Sequence, residues 1–342
     1  MKLNWFAPVP PTASSIAIDT AAILPRLAKH ADVTVWAHEL SWAPDLEKHA
    51  RVCHYDPAAM PWSEVNAADA TIYHLGNHPR FHSPIWRVNR EHPGIVVLHD
   101  PGLQHFFAGL VEGKLGLSED EYRDMMSYYH PNGGTELANA FLLGARSAGD
   151  ICEHCPLTSA ALENAAGVIV HTEVGYAALV RELNVPVAYV PLFALPEPNV
   201  QSDSARSPEE PPNGCYRIVM FGFLNANRRL SSVLRALRDF PQKHRFHLDI
   251  YGIVEDARTI EQLIAAFGLT ELVHMHGFVS AEQLIVALER SDMAINLRDP
   301  TMGEASASQL RIWQHGLPSL VTDVGWYATV PENTVAMVRP EA

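Results

Sequence analysis

The sequence predicts an α/β protein built from two doubly wound parallel sheets, and three observations carry that expectation. Short apolar runs alternate with amphipathic helical stretches through both halves of the chain. Runs such as Gly94–Leu98 are apolar enough to be buried on both faces of a parallel sheet. The rhythm breaks once, at the Pro-, Ser- and charge-rich stretch Leu195–Gly214, and then restarts. The expected division is a domain over 1–195, a linker over 196–214 and a second domain over 215–342. A chain of 342 residues, 47% of them hydrophobic, can build two cores.

In the first half, Leu3–Phe6 reads as a strand and Ile16 to about Lys29 as a helix, with Ile16, Ala17, Thr20, Ile23, Leu24 and Leu27 at helical spacing. Asp32–Trp36 is the next strand, completing a βαβ opening. Asp69–Leu75, Gly94–Leu98, Gly167–Val170 and Pro186–Val190 are further strands. The segment Leu103–Ala148 reads as helical. In the second half the strands are Tyr216–Phe221, Phe246–Tyr251, Val273–His276, Asp292–Leu297 and Ser319–Thr322, with Thr334–Val338 strand-like. A turn is expected at Gly222–Arg229. Helices are expected over Leu230–Phe240, from about Asp256 to Phe267, and after Ser280, where Gln283 completes a capping box.

Ligands of such sheets bind at the carboxyl ends of the strands. Three of these ends in the first half carry histidine: His74 with Gly76 and Asn77, His99 with Asp100, and His171 with Thr172 and Glu173. In the second half, the stretch from Leu297 to Pro318 joins a strand, a small-residue loop and a helix closed by Gly316, with Leu310, Trp313 and Gln314 spaced for its buried face. The first-turn amides of such a helix form an anion site. Ser306 and Ser308 add hydroxyls, Ala305 and Ala307 allow close approach, and Glu304 sets a carboxylate suited to sugar hydroxyls. The pair Arg228–Arg229 lies where a helix begins, and guanidinium groups bind phosphate bidentately.

Composition narrows the classes. A formal net charge of −14 argues against bulk nucleic-acid binding. The N-terminus lacks a signal-peptide h-region, and no run reaches the roughly 18 apolar residues of a membrane span. The four cysteines suggest no disulfide framework, and the single CxxC at Cys152–Cys155 lacks the second pair of a structural zinc site. A cytoplasmic protein with free thiols and no bound metal is expected, with a peripheral contact at the inner membrane face left open.

Four stretches then resemble one family: PVPPTASSIA at Pro8–Ala17, VVLHD at Val96–Asp100, FGFLNANRRL at Phe221–Leu230, and the run from Pro300 to Trp326. Together they resemble the GT-B glycosyltransferases, and within them glycosyltransferase family 4, over nearly the whole chain. The resemblance implies a UDP- or GDP-linked sugar donor held by the C-terminal domain and an acceptor on the N-terminal domain, with chemistry in the cleft between. It implies retention of anomeric configuration, no required metal ion and no further cofactor. Arg228 matches the family's lysine and becomes the diphosphate clamp, with Arg229 beside it. Phe223 stands where the family has arginine, and Arg311 where it has a second glutamate. Glu304 resembles the first glutamate, which touches the transferred sugar, and His99 the histidine that approaches that sugar. Asp100 accompanies it as a catalytic candidate. Ser306, Ala307, Ser308, Ser14 and Ser15 fall at diphosphate positions, while His74, Asn77 and His171 are candidate acceptor or sugar contacts. Family members end with a helix crossing back to the N-terminal domain; here the sequence stops at Ala342, so that tail is expected to be missing.

The expected function is transfer of a sugar to a glycan, lipid-linked or small-molecule acceptor in polysaccharide biosynthesis. The alternative is a non-catalytic sugar-nucleotide-binding or scaffold protein derived from the same fold. A phosphorylase would usually need a pyridoxal lysine late in the chain, and the last lysine is Lys243. A dinucleotide oxidoreductase would need a GxGxxG after a strand, which is absent.

Overall fold

The computed structural model describes residues 1–194 and 214–340. All but one residue of the expected linker, and its boundary with the first domain, lie outside the described residues. The chain divides into two units, Met1–Leu192 with Met302–Ala305, and Phe193–Thr301 with Ser306–Ala342.

The first unit holds seven strands: β1 (Lys2–Phe6), β2 (Asp32–Ala37), β3 (Arg51–His54), β4 (Ala70–Leu75), β5 (Gly94–Leu98), β6 (Ala165–Val170) and β7 (Val187–Tyr189). They run in the order β3-β2-β1-β4-β5-β6-β7, every pair parallel. Parallel pairing requires a crossover after each strand. Those crossovers carry α1 (Ser15–Leu27), α2 (Trp62–Val65), α3 (Pro79–Glu91), α4 (Gln104–Glu112), α5 (Glu119–Tyr129), α6 (Gly134–Leu142), α7 (Ala148–Cys152), α8 (Thr158–Ala161) and α9 (Glu173–Glu182). The helical reading of Leu103–Ala148 resolves into α4, α5 and α6 and the start of α7; Ser118 and Glu121 form a capping box that starts α5. Strand β3 was not expected, because its four residues, Arg-Val-Cys-His, are half exposed at the sheet edge.

Alternate residues of these strands feed two cores. Phe6, Trp36, Tyr73, Val96 and Leu98 pack on one face, and Leu3, Trp5, Val33 and Val35 on the other. The buried Asn4 of β1 is satisfied: its Nδ2 donates to Val65 O at 2.8 Å and Thr71 Oγ1 at 3.1 Å, and Trp36 Nε1 donates to its Oδ1 at 2.8 Å.

The second unit holds β8 (Tyr216–Leu224), β9 (Phe246–Val254), β10 (Val273–Gly277), β11 (Met293–Ile295), β12 (Ser319–Thr322) and β13 (Ala336–Val338). Its sheet is also parallel, in the order β10-β9-β8-β11-β12-β13. The order reverses between β8 and β11, the switch point where doubly wound sheets receive ligands. The helices are α10 (Leu230–Asp239), α11 (Ala257–Ala266), α12 (Ala281–Arg290) and α13 (Ala307–Gln314). The Ser280–Gln283 capping box starts α12 as expected. In α13 the inward face is Gln309 and Ile312, not the expected Leu310, Trp313 and Gln314. No helix among the described residues is long and apolar enough to cross a membrane.

Strands β8 and β9 overrun their expected ends. The turn expected at Gly222–Arg229 begins later, because Gly222, Phe223 and Leu224 continue the ladder opposite Gly252, Ile253 and Val254. Glycine makes this possible. Gly252 has φ +112°, and a Cβ there would lie 2.1 Å from the Gly222 carbonyl oxygen. Gly252→Ala is therefore expected to cost ~3 kcal/mol or more in urea unfolding. Gly268→Ala, at φ +64° with nothing within 4 Å of the added carbon, should cost only about 1 kcal/mol.

Candidate functional site

The candidate residues gather at the carboxyl ends of both sheets. In the first unit, His74 is the penultimate residue of β4, β5 runs into His99 and Asp100, and β6 runs into His171. Because the three strands are adjacent and in register, with His74 opposite Val97 and Leu75 opposite Leu98, the imidazoles meet. His74 Nδ1 and His99 Nε2 share a hydrogen bond at 2.9 Å, and the His99 and His171 ring centroids are 5.1 Å apart. His74 is only 3% exposed and packs against Trp5 with ring centroids 4.3 Å apart.

Asp100 turns toward the neighbouring loop. Its Oδ2 accepts the Asn77 amide N–H at 2.8 Å, and Asn77 Nδ2 donates to Gly102 O at 2.6 Å. The segment Met302–Ala305 belongs to this unit. Gly102 N donates to Met302 O at 2.8 Å and Thr172 Oγ1 to Gly303 O at 3.3 Å. Glu304 Oε2 accepts Met302 N at 2.8 Å. The thiol of Cys152 is pushed up to about 11, first by burial and then by the nearby charges of Glu304 and Asp100. Cys152 and Cys155 are free and buried. Ser14 and Ser15 begin α1 after β1; Ser14 is the N-cap but its hydroxyl makes no capping bond, and Ser15 is exposed.

In the second unit the structure joins the end of β8 to the start of α13. A Cβ on Gly222, whose φ is +109°, would lie 3.6 Å from Ser308 Oγ. Ser306 is the N-cap of α13: its Oγ accepts Gln309 N at 3.1 Å and Asn296 Nδ2 at 3.3 Å, which leaves its own O–H to donate. The amides of Ala307 and Ser308 make no hydrogen bond within the described residues. They stay free because α13 begins there. Below them, Asn296 Nδ2 donates to Gln309 Oε1 at 3.0 Å, and Gln309 Nε2 to Ser319 Oγ at 2.8 Å. This buried chain fastens the helix start to β12.

The two arginines part company. Arg228 is 2% exposed, with Nη2 donating to Phe221 O at 3.2 Å. Arg229 takes a left-handed conformation at the N-cap of α10 and pairs with Asp299 at 3.4 Å. Three large apolar side chains are exposed at the ends of β8, β9 and β10: Phe223 (55%), Ile253 (45%) and Phe278 (76%). Each follows a glycine with positive φ. Among the described residues no group of three or more His, Cys, Asp or Glu side chains could hold a metal ion. Cavities of about 630 Å³, beside Met1 and His49, and 420 Å³, beneath α12, are lined by none of the candidate residues.

The sequence reading missed three supports. Asn296 and Gln309 were read as strand end and helix body, although a polar residue at an inward helix position is a signal. Asp19 lies on the buried face of α1 with Ile16, Ala17 and Thr20, an acid inside an apolar stripe.

Comparison with known structures places this geometry. Along 98% of its length the chain superposes on WaaG, described as a glycosyltransferase of lipopolysaccharide biosynthesis, at 17% identity, TM-score 0.58 and 86% of that chain. It matches HepE of Anabaena in complex with UDP-glucose over 99% of its length and 86% of that chain, at 13% identity and TM-score 0.61. The fold is GT-B. A third GT-B neighbour is sucrose-phosphate synthase of Thermosynechococcus elongatus, at 13% identity, TM-score 0.60, and 100% and 87% coverage. Residues 201–306 match the family model for glycosyl transferases group 1. No curated protein matches the chain.

Burial sets the protonation of the histidines and of Asp19 in opposite senses. Desolvation lowers His74 to about 3 and His82 to about 4, and holds His99 well below its usual value. Desolvation raises Asp19 to about 7. A histidine kept neutral when folded binds fewer protons than the unfolded chain below pH 6.5. Stability should therefore fall from pH 6.5 toward pH 4, by about 1.4 kcal/mol per pH unit for each such group. Asp19 stays protonated when folded, so its contribution is lost as pH rises from 3.8 to about 7. In urea unfolding, Asp19→Asn should add about 2 kcal/mol at pH 8 and little at pH 4. His82→Asn should flatten the acid limb.

Proposed function

We propose that this protein is a retaining, metal-independent glycosyltransferase of the family 4 type. It moves a sugar from a UDP- or GDP-linked donor to a glycan, lipid-linked or small-molecule acceptor in the cytoplasm. The observation that carries the reading is the start of α13. Two free amides, Ala307 and Ser308, stand beside Gly222 at the switch point of a group 1-like domain. Backbone N–H groups at a helix N-terminus, in line with its dipole, suit a diphosphate. UDP and UDP-glucose in HepE complexes support a donor of that class.

In this reading the bond between C1 and the diphosphate oxygen breaks through an oxocarbenium-like state. The acceptor oxygen bonds to C1 on the same face, and its proton passes to the leaving phosphate oxygen, so no separate protein base is required. The α13 amides and Arg229 stabilise the growing negative charge. Arg228, buried against β8, acts on the same turn from below. Glu304 and His99 hold sugar hydroxyls and fix orientation; Asp100 holds the Asn77 loop beside them. Ser14 and Ser15 approach the diphosphate from α1, and His171 contacts the acceptor or sugar.

One observation favours a second reading, a sugar-nucleotide-binding protein without turnover. Arg229 is paired with Asp299, and Arg228 directs a nitrogen at a main-chain carbonyl. Both cations thus have protein partners.

A thermal-shift series with UDP, GDP and ADP, and with UDP-glucose and GDP-mannose, should raise the unfolding midpoint for one base. Ala307→Pro removes one amide at the first helical position, where proline is tolerated, and the extended Ser306 before it (φ −102°, ψ 104°) accepts the change. The variant should fold normally and bind that nucleotide about tenfold more weakly. Unchanged affinity would remove the diphosphate from this helix. Product formed with an added acceptor separates the enzyme from the binding protein.

A further inference from the structure

We infer that His74 is a positioning residue that holds the His99 imidazole as its Nδ1–H tautomer, leaving that N–H as the ring's open group for a ligand oxygen. The assignment follows from where the buried ring nitrogens go. A neutral imidazole has one donor and one acceptor nitrogen. His74 Nδ1 and His99 Nε2 lie 2.9 Å apart, so one donates to the other. The second nitrogen of His74, Nε2, is sealed from solvent with no partner among the described residues.

If His74 carried its hydrogen on Nε2, that N–H would be a buried orphan donor, which folded proteins rarely keep. A bare lone pair in the same place is far better tolerated. His74 therefore carries its hydrogen on Nδ1 and donates to His99 Nε2. Adding a second proton to His74 would bury both a charge and the orphan N–H, and desolvation lowers its pKa to about 3. With Nε2 accepting, the neutral His99 must carry its hydrogen on Nδ1. Among the described residues that nitrogen has no hydrogen-bond partner, and it is not sealed from solvent.

The neighbours are set in the same sense. His82 Nδ1 lies 3.0 Å from His74 O, and His171 Nδ1 2.8 Å from Val190 O. Carbonyls only accept, so both rings are Nδ1–H, and the buried, unpartnered Nε2 of His171 is a lone pair. The end of the first sheet thus offers one outward imidazole donor, at His99, among acceptor nitrogens. Such a ring donates to a hydroxyl oxygen but does not accept its proton at Nδ1. His99 then orients a sugar hydroxyl and is not a general base. That last role rests on the function proposed above; the tautomer does not.

The test is long-range proton–nitrogen correlation on protein labelled with 15N-histidine at neutral pH, with His99→Gln to assign the signal. The expected pattern is a protonated Nδ1 and a bare Nε2 at His99, although free imidazole prefers the opposite form. His74→Asn places an amide nitrogen where Nδ1 was and should preserve the pattern. His74→Leu should let His99 revert, and should lower kcat/KM for the nucleotide sugar about tenfold, the worth of one hydrogen bond. A wild-type His99 protonated on Nε2 would overturn the inference, as would a pattern unchanged in His74→Leu. The wild-type reading needs only the His99→Gln variant to fold, for assignment, and not the His74 variants. If it shows the Nδ1–H form while the protein transfers no sugar, the tautomer stands and the enzyme reading falls.

Discussion

Parallel strand pairing is the constraint on which both units depend. It forces the chain to cross over after every strand, and so brings all the carboxyl ends of a sheet to one edge. Residues far apart in sequence become neighbours without any contact having to recruit them. His74, His99 and His171 meet only because β4, β5 and β6 are adjacent and aligned. Gly222 meets Ser308 because β8 and β11 flank the point where the order reverses.

The two edges solve different electrostatic problems. The second unit presents main-chain amides, which carry no net charge and need no counter-ion. Keeping them aimed requires a helix start that does not shift, and the chain Asn296–Gln309–Ser319 supplies it from below. Those side chains are buried, and each hydrogen bond offsets the desolvation of its members. The first unit presents imidazoles kept neutral by burial at the ends of β4 and β5. Neutral rings can donate and accept hydrogen bonds without adding net charge to this edge.

Much of this was legible in the sequence. Uniformly apolar runs fixed the central strands closely, since a strand covered on both faces leaves a pattern that little else does. The histidines were found because they follow such runs directly. The edge strand β3 left no such pattern. The ends of β8 and β9 were misplaced because Gly222 and Gly252 read as turn residues, whereas here they let two strands stay paired while bending. Side-chain direction was harder still. Nothing in the pair Arg228–Arg229 says that the first turns under the sheet while the second pairs with Asp299. The use of Ser306 as a cap, and of Gln309 rather than Leu310 as the inward residue, depends on a helix phase that an eight-residue segment is too short to declare.

The close approach of β8 and β9 also bears on how this protein can diverge. A side chain at position 252 would strike the nitrogen, carbon and oxygen of residue 222, all of them main-chain atoms. Most steric conflicts in a core are conditional, because a smaller neighbour can open room for a larger one. Here no replacement at residue 222 makes room, since every amino acid brings the same backbone. The glycine at 252 is thus free of epistasis with its partner, and drift must go around it. Phe223 and Ile253, one residue further on and exposed, carry no such restriction, so sequence variation at this edge has its open path there.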